Sequence, residues 1–444
     1  MRSRPQGRLP RRTFLSFAAG TSALGMAACS GGSVTGNTGD SEGRTTISVW
    51  HQSTAEAATK LDELIAQFND AQADYTVSAQ FIPGTEVEFI PRLVNAITND
   101  QGPDLVLGNG NPSGLGQVIE TGKVVALDDL LGTGKTPLDR AAIPQGMLDA
   151  STFDGTLYSL PTDGGDYAVF YNKALFAEAG ITTPPTTWAE LADVAGRLTT
   201  ADRYGIYLPI GSGGYGEWTS FTWQSMLWSA GGEFLTADNS DVAFDTPAGV
   251  TALKTWTDIV AAGHAYPSSM ADSNQNQGFP GFIAQEYAMF IGGAYNLGVV
   301  REGLGKENVG VFTFPRITQP AMNTGTNVSY ILQTTDEKQS GAWAFLSWWL
   351  QPDVQAEWDI ATGFLPTNQA TTTSAAYADY LADDPDIKVF VDQLEYARTR
   401  PSISEYAEVS AALSTEIEKA MLLQQTPEQA IATAAANARA ALAG

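Results

Sequence analysis

Strand and helix patterns alternate regularly between residues 46 and 107, and this alternation limits the chain to a few fold classes. Short apolar or alternating runs typical of strands occur at 46–50, 75–81 and 104–107. Stretches with apolar residues at helical spacing separate them, at 58–69 and 89–99. Strands joined by helices in this order form a parallel sheet with helices on its faces. The sequence therefore predicts an α/β fold that binds ligands beyond the carboxyl ends of the strands.

Capping residues mark later helix starts. Thr187 and Glu190 have the spacing of a capping box, as do Thr426 and Gln429. The run 245–247 places cap residues before a proline at a first helical position. The second half is predicted to be mainly helical, with strands at 168–171, 287–291, 309–314 and 328–332.

The amino terminus has the pattern of a secretory signal peptide over residues 1–28. Its uncharged apolar run is shorter than the about 20 residues of a membrane-spanning helix. Arg11-Arg12 resembles the twin-arginine export motif, which we favour, with general secretion as the alternative. The residues before Cys29 resemble a bacterial lipobox, which predicts a lipidated cysteine rather than a buried free thiol. Residues 29–44 are then expected to form a flexible tether that anchors the protein to the membrane outside the cytoplasm.

Charge and composition exclude several classes of function. The 49 acidic residues exceed the 24 Lys and Arg, which gives a formal net charge of −25 and makes nucleic acid a poor partner. The single Cys29 excludes an intrachain disulfide framework and Cys-cluster zinc sites. The only histidines are His51 and His264, which further restricts metal and histidine-base chemistry. The sequence predicts no metal site and no cofactor.

The enzymatic alternatives are weak. The run 132–136 imitates the end of a P-loop, but Asp129 stands where the first glycine is required. A serine hydrolase is also disfavoured, because the sequence offers neither histidine a nucleophilic serine in a Gly-x-Ser-x-Gly motif. An exported glycosidase remains the strongest enzymatic rival, since two carboxylates are its catalytic requirement. A structural adhesin would need repeats or long β-rich stretches, which we do not find.

Eight short motifs, in order along nearly the whole chain after the signal, resemble those of the family 1 extracellular solute-binding proteins of bacterial ABC importers. Each motif alone is weak, and their order makes the resemblance specific. They are Val49-Trp50-His51, Pro103-Asp104-Leu105-Val106, 122–129 (GKVVALDD), 154–161 (DGTLYSLP), 170–176 (FYNKALF), 185–188 (PTTW), 288–293 (AMFIGG) and 362–367 (TGFLPT).

The resemblance implies a type II periplasmic-binding-protein-like fold, in which two α/β lobes close about a hinge on one ligand. By this analogy lobe one comprises 45–161 and 294–335, and lobe two comprises 162–293 and 336–444. It also implies a monomer, without catalytic activity, that delivers its solute to permease subunits in the membrane.

Aromatic residues in polar, glycine-rich surroundings indicate a carbohydrate ligand, since sugar rings need flat apolar faces beside hydrogen-bonding groups. Trp218, Trp223 and Trp228 follow such a run. We predict ligand contact for Trp223 and Trp228, although both also fit as core residues of one helix. Tyr295 follows a small-residue turn where maltose-type binders carry a sugar-stacking tryptophan, with hinge packing as its alternative.

Polar residues at strand ends are further candidates. His51 and Gln52 follow the first strand, Glu86 the second and Asn109 the third. For His51 the alternative is a structural histidine, and for Asn109 it is a turn residue with positive φ. Asp163 is predicted to lie where the chain crosses between lobes, either in a hinge turn or as a hydroxyl acceptor.

Near the carboxyl end, three more residues lie in regions that supply ligand contacts in similar binders. Arg400 offers a bidentate grip on a sugar diol or an anion, with a surface ion pair as its alternative. Tyr406 is predicted to contact the ligand, and Gly363 is predicted to contact it through a close backbone approach.

The sequence thus predicts a lipid-anchored binding protein that captures a mono- or oligosaccharide for an ABC permease. Some members of the resembling family bind glycerol 3-phosphate or glycerophosphodiesters instead. Arg400 keeps that alternative open, while the supply of aromatic residues favours a sugar.

Overall fold

The computed structural model describes residues 43–84, 86–109, 112–210, 216–268 and 278–443. The predicted signal peptide and Cys29 lie outside these residues. The strands are β1 Thr45–His51, β2 Tyr75–Phe81, β3 Leu105–Asn109, β4 Thr152–Phe153, β5 Thr156–Leu157, β6 Leu160–Gly165, β7 Tyr167–Asn172, β8 Tyr204–Tyr207, β9 Tyr287–Gly293, β10 Val309–Phe312, β11 Met322–Asn323, β12 Gly325–Ile331 and β13 Ala397–Arg398.

The α-helices alternate with these strands in the first half and dominate the carboxyl-terminal part. They are α1 Ala55–Ala71, α2 Glu86–Thr98, α3 Pro112–Ile119, α4 Gln145–Asp149, α5 Lys173–Glu178, α6 Trp188–Leu198, α7 Gly216–Ser229, α8 Pro247–Ala261, α9 Phe279–Ile283, α10 Leu297–Leu304, α11 Asp336–Trp349, α12 Pro352–Thr362, α13 Ala375–Asp383, α14 Pro385–Gln393, α15 Tyr406–Met421 and α16 Pro427–Leu442. Within the described part of the chain, no helix combines the length and apolar character needed to cross a bilayer.

A five-stranded sheet organises the first lobe, with strand order β2-β1-β3-β12-β6. β1 pairs in parallel with both β2 and β3, which confirms the alternation read from the sequence. β12 runs antiparallel to β3 and β6. β12 comes much later in the chain than the other four strands of this sheet. Local periodicity therefore predicts that 328–332 is a strand, but not where it lies in the sheet.

Helices cover both faces of this sheet. Side chains alternate between the faces along a strand, and apolar side chains on each face pack against helices. Ile47 and Val49 pack with apolar residues of α1, α11 and α12 on one face. Val106 and Tyr330 pack with those of α2 and α3 on the other. The first lobe is therefore a three-layered α/β unit.

A four-stranded sheet, with order β10-β7-β9-β8, organises the second lobe. β8 and β9 are parallel, while β7 is antiparallel to both of its neighbours. Val169 and Met289 face a core built with α6, α7, α8, α15 and α16. Phe170 and Phe290 face the opposite core, built with α9, α10 and α14. The described residues thus contain two large sheets, each flanked by helices as the predicted fold class requires, and two small sheets of two strands each.

Two segments pack differently from the predicted lobe boundaries. The segment 336–362, placed in lobe two by analogy, packs against the five-stranded sheet through residues such as Phe345 and Trp358. Gly341 permits this approach, because a Cβ there would lie 2.5 Å from Ile47 Cδ1. α10 and β10, both placed in lobe one, pack on the second sheet, where β10 pairs with β7. The remaining division stays a prediction.

The predicted capping boxes are confirmed at Thr187 and Thr426, where the threonine and the residue three positions later exchange hydrogen bonds with the backbone. At Thr246 the prediction is right only in part. α8 begins with Pro247, but the Thr246 side chain makes no capping hydrogen bond.

Candidate functional site

Within the described residues, the chain crosses between the two large sheets at three places, which define the hinge. β6 runs into β7, β10 leads to β12, and the segment after α12 crosses at 363–368. Gly164 and Leu365 exchange two backbone hydrogen bonds of 2.8 Å, which join the first crossing to the third. A Cβ at Gly164 would lie 2.8 Å from the Leu365 carbonyl oxygen, so this close approach requires glycine.

Asp163 braces the same crossings from within β6. Its carboxylate accepts hydrogen bonds from Asn327 Nδ2 at 3.1 Å and from Trp358 Nε1. Burial raises the pKa of Asp163 to about 6, and the two hydrogen bonds oppose that rise. Asp163 therefore lies in a strand rather than a hinge turn, and both of its oxygens are engaged by neighbouring elements.

Two further carboxyl groups are buried near these crossings. Burial raises the pKa of Asp359 well above its ordinary value, and the negative charge of Asp163 adds to the rise. Neither oxygen of Asp359 has a hydrogen-bond partner among the described residues. Burial likewise raises the pKa of Asp166, although Gln393 Nε2 donates to it at 3.2 Å. These carboxyl groups are kept in an environment that favours their neutral forms.

At the edge of the first lobe, β1 and β2 end side by side, with His51 opposite Phe81. His51 is buried, and burial lowers its pKa, so the ring is neutral at pH 7. Its Nδ1 has no hydrogen-bond partner among the described residues. Gln52 Nε2 donates to the Gly84 carbonyl at 2.9 Å, which ties the two strand ends together. Phe81 is 46% exposed at the end of β2. The sequence analysis did not name it as a candidate, although it ends a strand just as His51 does.

Glu86 and Asn109 keep the backbone positions that made them candidates. Glu86 is the first residue of α2, after β2, and Asn109 is the last residue of β3. Their side chains lie outside the described part of the structure. Ligand contact by either residue therefore stays a prediction.

A group of aromatic rings lies where β7, β9 and α7 meet. The Tyr167 ring lies 4.4 Å from Trp218 and 5.1 Å from Phe221, centroid to centroid. The half-buried Tyr295 ring is 5.9 Å from Phe364. Tyr167 also forms a side-chain hydrogen bond with Tyr295, which connects the two sets of rings. Tyr167 and Phe221 are buried, whereas Trp218, Tyr295 and Phe364 are half-buried. We call these five residues the aromatic floor. Trp218 and Tyr295 are among the aromatic candidates named from the sequence. The sequence analysis did not name Tyr167, Phe221 or Phe364 as candidates.

Gly363 supports this floor. It ends α12 with φ of +75°, a left-handed conformation that glycine adopts without strain. A Cβ at this position would lie 3.1 Å from the Cα of Tyr295. Gly363 thus permits a close approach to the backbone of Tyr295, and its predicted contact with the ligand stays a prediction.

Arg400 joins the carboxyl-terminal segment to α7. Its guanidinium forms an ion pair with Glu217 and lies 4.9 Å from the centre of the Phe221 ring. The two charged side chains are only 11% and 20% exposed, respectively, so the surface ion pair considered from the sequence is in fact largely buried. The Arg400 guanidinium also lies 6.0 Å from the centre of the Tyr406 ring. Tyr406 is fully buried, and its hydroxyl accepts a hydrogen bond from Gln224 Nε2 at 2.7 Å. Tyr406 therefore packs as a core residue in this structure.

The two predicted tryptophans of α7 have different surroundings. Trp223 is fully buried and packs edge-on against Phe244, so it lies in the core of the second lobe. Trp228 is also buried, but it lines a cavity of about 490 Å³. The Arg398 guanidinium covers the Trp228 ring at 4.5 Å. Core packing thus accounts for Trp223, whereas Trp228 borders a solvent-accessible cavity.

Within the described residues, no group of three or more His, Cys, Asp or Glu side chains is placed to hold a metal ion. The site consists of aromatic rings, hydroxyl and amide groups, and paired charges. Such a surface suits recognition of a solute by stacking and hydrogen bonding.

Comparison with known proteins decides the family. The sequence model described as bacterial extracellular solute-binding protein matches residues 63–388. The chain belongs to this family. The relatives and solved structures named in the next two paragraphs are binding proteins rather than enzymes.

Solved structures share the fold of this solute-binding protein. The cyclic alpha-maltosyl-1,6-maltose binding protein of Arthrobacter globiformis is 29% identical, with a TM-score of 0.79 over 90% of this chain and 99% of that one. An ABC transporter solute-binding protein of Thermotoga lettingae, bound with alpha-D-tagatose, is 26% identical, with a TM-score of 0.74 over 90% of this chain and all of that one.

A relative from Salmonella typhimurium, the sn-glycerol-3-phosphate-binding periplasmic protein UgpB, is 24% identical over 89% of this chain and 92% of its own length. The solute-binding protein described here therefore has the α/β fold and hinge of its family and acts outside the cytoplasm.

Proposed function

We propose that this solute-binding protein captures a neutral saccharide between its lobes and presents it to the permease of an ABC importer. The observation that carries the proposal is the aromatic floor beside the Arg400–Glu217 pair. Aromatic faces stack on the apolar side of sugar rings, and a guanidinium beside a carboxylate offers both donors and acceptors to hydroxyl groups.

The charges at the site favour a neutral ligand over a phosphate. Arg400 is paired with Glu217, and Arg398 is paired with Glu233. Each pair has no net charge, so neither supplies the excess cation that a buried phosphate would need. The similarity to a cyclic maltosyl-maltose binding protein supports the same choice. Glycerol 3-phosphate or a glycerophosphodiester is the second candidate, supported by the UgpB relative.

Binding is coupled to closure in this proposal. A ligand that contacts both lobes only in the closed arrangement shifts the population toward that arrangement. The hinge around Gly164 and Leu365 absorbs the motion, while the two cores move as rigid units. The permease then distinguishes the closed form from the open one.

A thermal-shift screen tests the ligand class directly. We expect sugars, and not glycerol 3-phosphate or glycerophosphocholine, to raise the melting temperature, since a ligand at 100 times its Kd stabilises by about 2.7 kcal/mol. Calorimetry on each hit then gives the affinity and shows whether the sugar is recovered unchanged. Stabilisation by the phosphates alone would overturn the proposal, and turnover of a bound glycan would favour the glycosidase alternative.

We also propose that the mature protein is a monomeric lipoprotein, exported by the twin-arginine route and anchored through Cys29. Replacing Cys29 by serine is expected to release the protein from the membrane fraction and to abolish incorporation of labelled palmitate. A lysine pair in place of Arg11 and Arg12 should separately block export. Membrane retention of the Cys29→Ser protein would contradict the lipid anchor.

A further inference from the structure

A buried glutamine of α12 ties two of the crossings to the first lobe. Gln355 is fully buried. Its Nε2 donates to the Thr162 carbonyl at 3.2 Å, and its Oε1 accepts from the backbone amides of Thr367 and Asn368 at 3.2 and 2.8 Å. Because α12 packs on the five-stranded sheet, this one amide group holds the first and third crossings against the first lobe.

A second buried glutamine has the corresponding place in the other lobe. Gln393, at the end of α14, is also fully buried. Its Nε2 donates to the Tyr167 carbonyl at 3.0 Å and to Asp166 Oδ2 at 3.2 Å, and its Oε1 accepts from the Phe314 amide at 2.7 Å. Since α14 packs on the four-stranded sheet, Gln393 holds the first and second crossings against the second lobe. Breaking such bonds would leave buried polar groups without partners, so both glutamines fix the segments that they bind.

In the first crossing, two glycines separate the part held by one lobe from the part held by the other. Asp163 accepts a hydrogen bond from the indole of α12, and Asp166 accepts one from Gln393. Gly164 and Gly165 lie between these two aspartates. The backbone of Gly164 is itself hydrogen-bonded to the third crossing, which leaves Gly165 as the point where this crossing can turn.

The second crossing has a matching segment. Asn323 is held by the second lobe, since its Nδ2 donates to the Phe221 carbonyl of α7 at 3.0 Å. Asn327 is held by the first lobe, through the 3.1 Å hydrogen bond to the carboxylate in β6. Gly325 lies between the two asparagines and is the register partner of Gly165. The two segments are therefore paired and can bend together.

The packing shown here does not explain why these two positions are glycines. Apart from its chain neighbours, a Cβ at Gly165 would have no heavy atom of the described residues within 4 Å, and a Cβ at Gly325 would meet Phe221 at 3.5 Å, an ordinary contact. Neither glycine has a φ in the left-handed region. Gly164 differs, because a Cβ there would meet the third crossing. The property of glycine that remains is its backbone freedom, which a moving segment needs.

We propose that the lobes pivot at Gly165 and Gly325, and that Gln355 and Gln393 are positioning residues that confine the bending to this pair. Hinge motion of this kind is absorbed by a few residues at the ends of structural elements. The inference depends on the two-lobed hinge and not on the identity of the solute. It can therefore fail while the proposed function holds, and it is tested without any ligand.

The test is the distribution of distances between the lobes, measured by double electron–electron resonance on spin-labelled protein. The labels are attached at Thr98→Cys in α2 and Asp193→Cys in α6, which are exposed positions, in the mature chain with Cys29→Ser. We expect Gly165→Ala and Gly325→Ala each to narrow the distribution, and the double variant to narrow it most, because alanine restricts the backbone. Gln355→Met and Gln393→Met should each broaden it, because they release the crossings.

Gly298→Ala is the matched control. Gly298, in α10, also has room for a Cβ and has no left-handed φ, but it lies outside the crossings. It should leave the distance distribution unchanged. Urea denaturation of each variant separates motion from folding, and the alanine variants should keep the wild-type midpoint or exceed it.

The outcomes decide the two parts of the proposal. Wild-type widths in both glycine variants, or equal narrowing by Gly298→Ala, would overturn the pivot. Folded Gln355→Met and Gln393→Met proteins with wild-type widths would overturn the positioning role of the glutamines. If the glutamine variants do not fold, the glycine variants still decide where the lobes bend.

Discussion

Replacement of Arg400 by alanine is expected to weaken a bound sugar about tenfold, and to abolish phosphate binding if the second candidate ligand, a glycerol phosphate, is the one bound. A phosphate depends on the guanidinium for charge compensation, whereas a sugar retains the aromatic floor and other hydrogen bonds. The same variant should lose about 3 kcal/mol of unfolding free energy, because the largely buried Glu217 carboxylate loses the cation with which it pairs. Calorimetry with both ligand classes and urea denaturation measure the two effects.

Two further variants separate the causes. Glu217→Gln in the Arg400→Ala background should recover part of the lost stability, because it removes the buried charge. Arg439→Ala is the control for loss of an arginine ion pair, and it should cost much less stability than Arg400→Ala, since Arg439 and its partners are exposed. An Arg400→Ala protein as stable as the Arg439→Ala protein would show that the pair with Glu217 contributes nothing.

Asp359→Asn is expected to stabilise the protein, by about 2–4 kcal/mol at pH 8. The Asp359 carboxyl group is fully buried, and within the described structure it accepts no hydrogen bond, so asparagine sacrifices none there. Asparagine also removes the repulsion between Asp359 and Asp163 that raises the pKa of Asp359.

The gain should depend on pH in a defined direction. An acid whose pKa is raised on folding binds a proton more tightly in the folded state. Its stabilising effect is therefore complete at low pH and is lost as the pH rises above about 4, the pKa of an ordinary aspartate. The stabilising contribution of Asp163 changes with pH in the same direction, and it is lost completely above the folded-state pKa of about 6. The Asp359→Asn gain should thus be small at pH 4 and largest at pH 8.

Urea denaturation at pH 4, 6 and 8 checks this expectation. Asp353→Asn, at an exposed position of the same helix, is the control and should change stability by less than about 1 kcal/mol at each pH. Equal gains at all three pH values would mean that relief of a buried charge is not the cause. A loss of stability would mean that Asp359 has an essential acceptor role.

Much of the local structure followed from the sequence. The β-α-β-α-β order, the strand over 75–81 and both capping boxes were predicted correctly. The eight motifs identified the family, which the match over residues 63–388 shows independently. The candidate site was predicted less completely. Trp228, Tyr295 and Arg400 lie beside cavities or aromatic rings, while Trp223 and Tyr406 are buried in the core.

Residue patterns alone therefore predicted the fold class, the starts of α6 and α16 with their capping boxes, and the supply of aromatic and polar groups. Long-range packing, in contrast, places α11 and α12 on the first sheet, brings the Trp358 indole to Asp163, and pairs Arg400 with Glu217. The reason is the range of the interactions. Periodicity and capping act between residues a few positions apart, whereas Arg400 and Glu217 are separated by 183 positions and meet only because two sheets and their crossings bring them together.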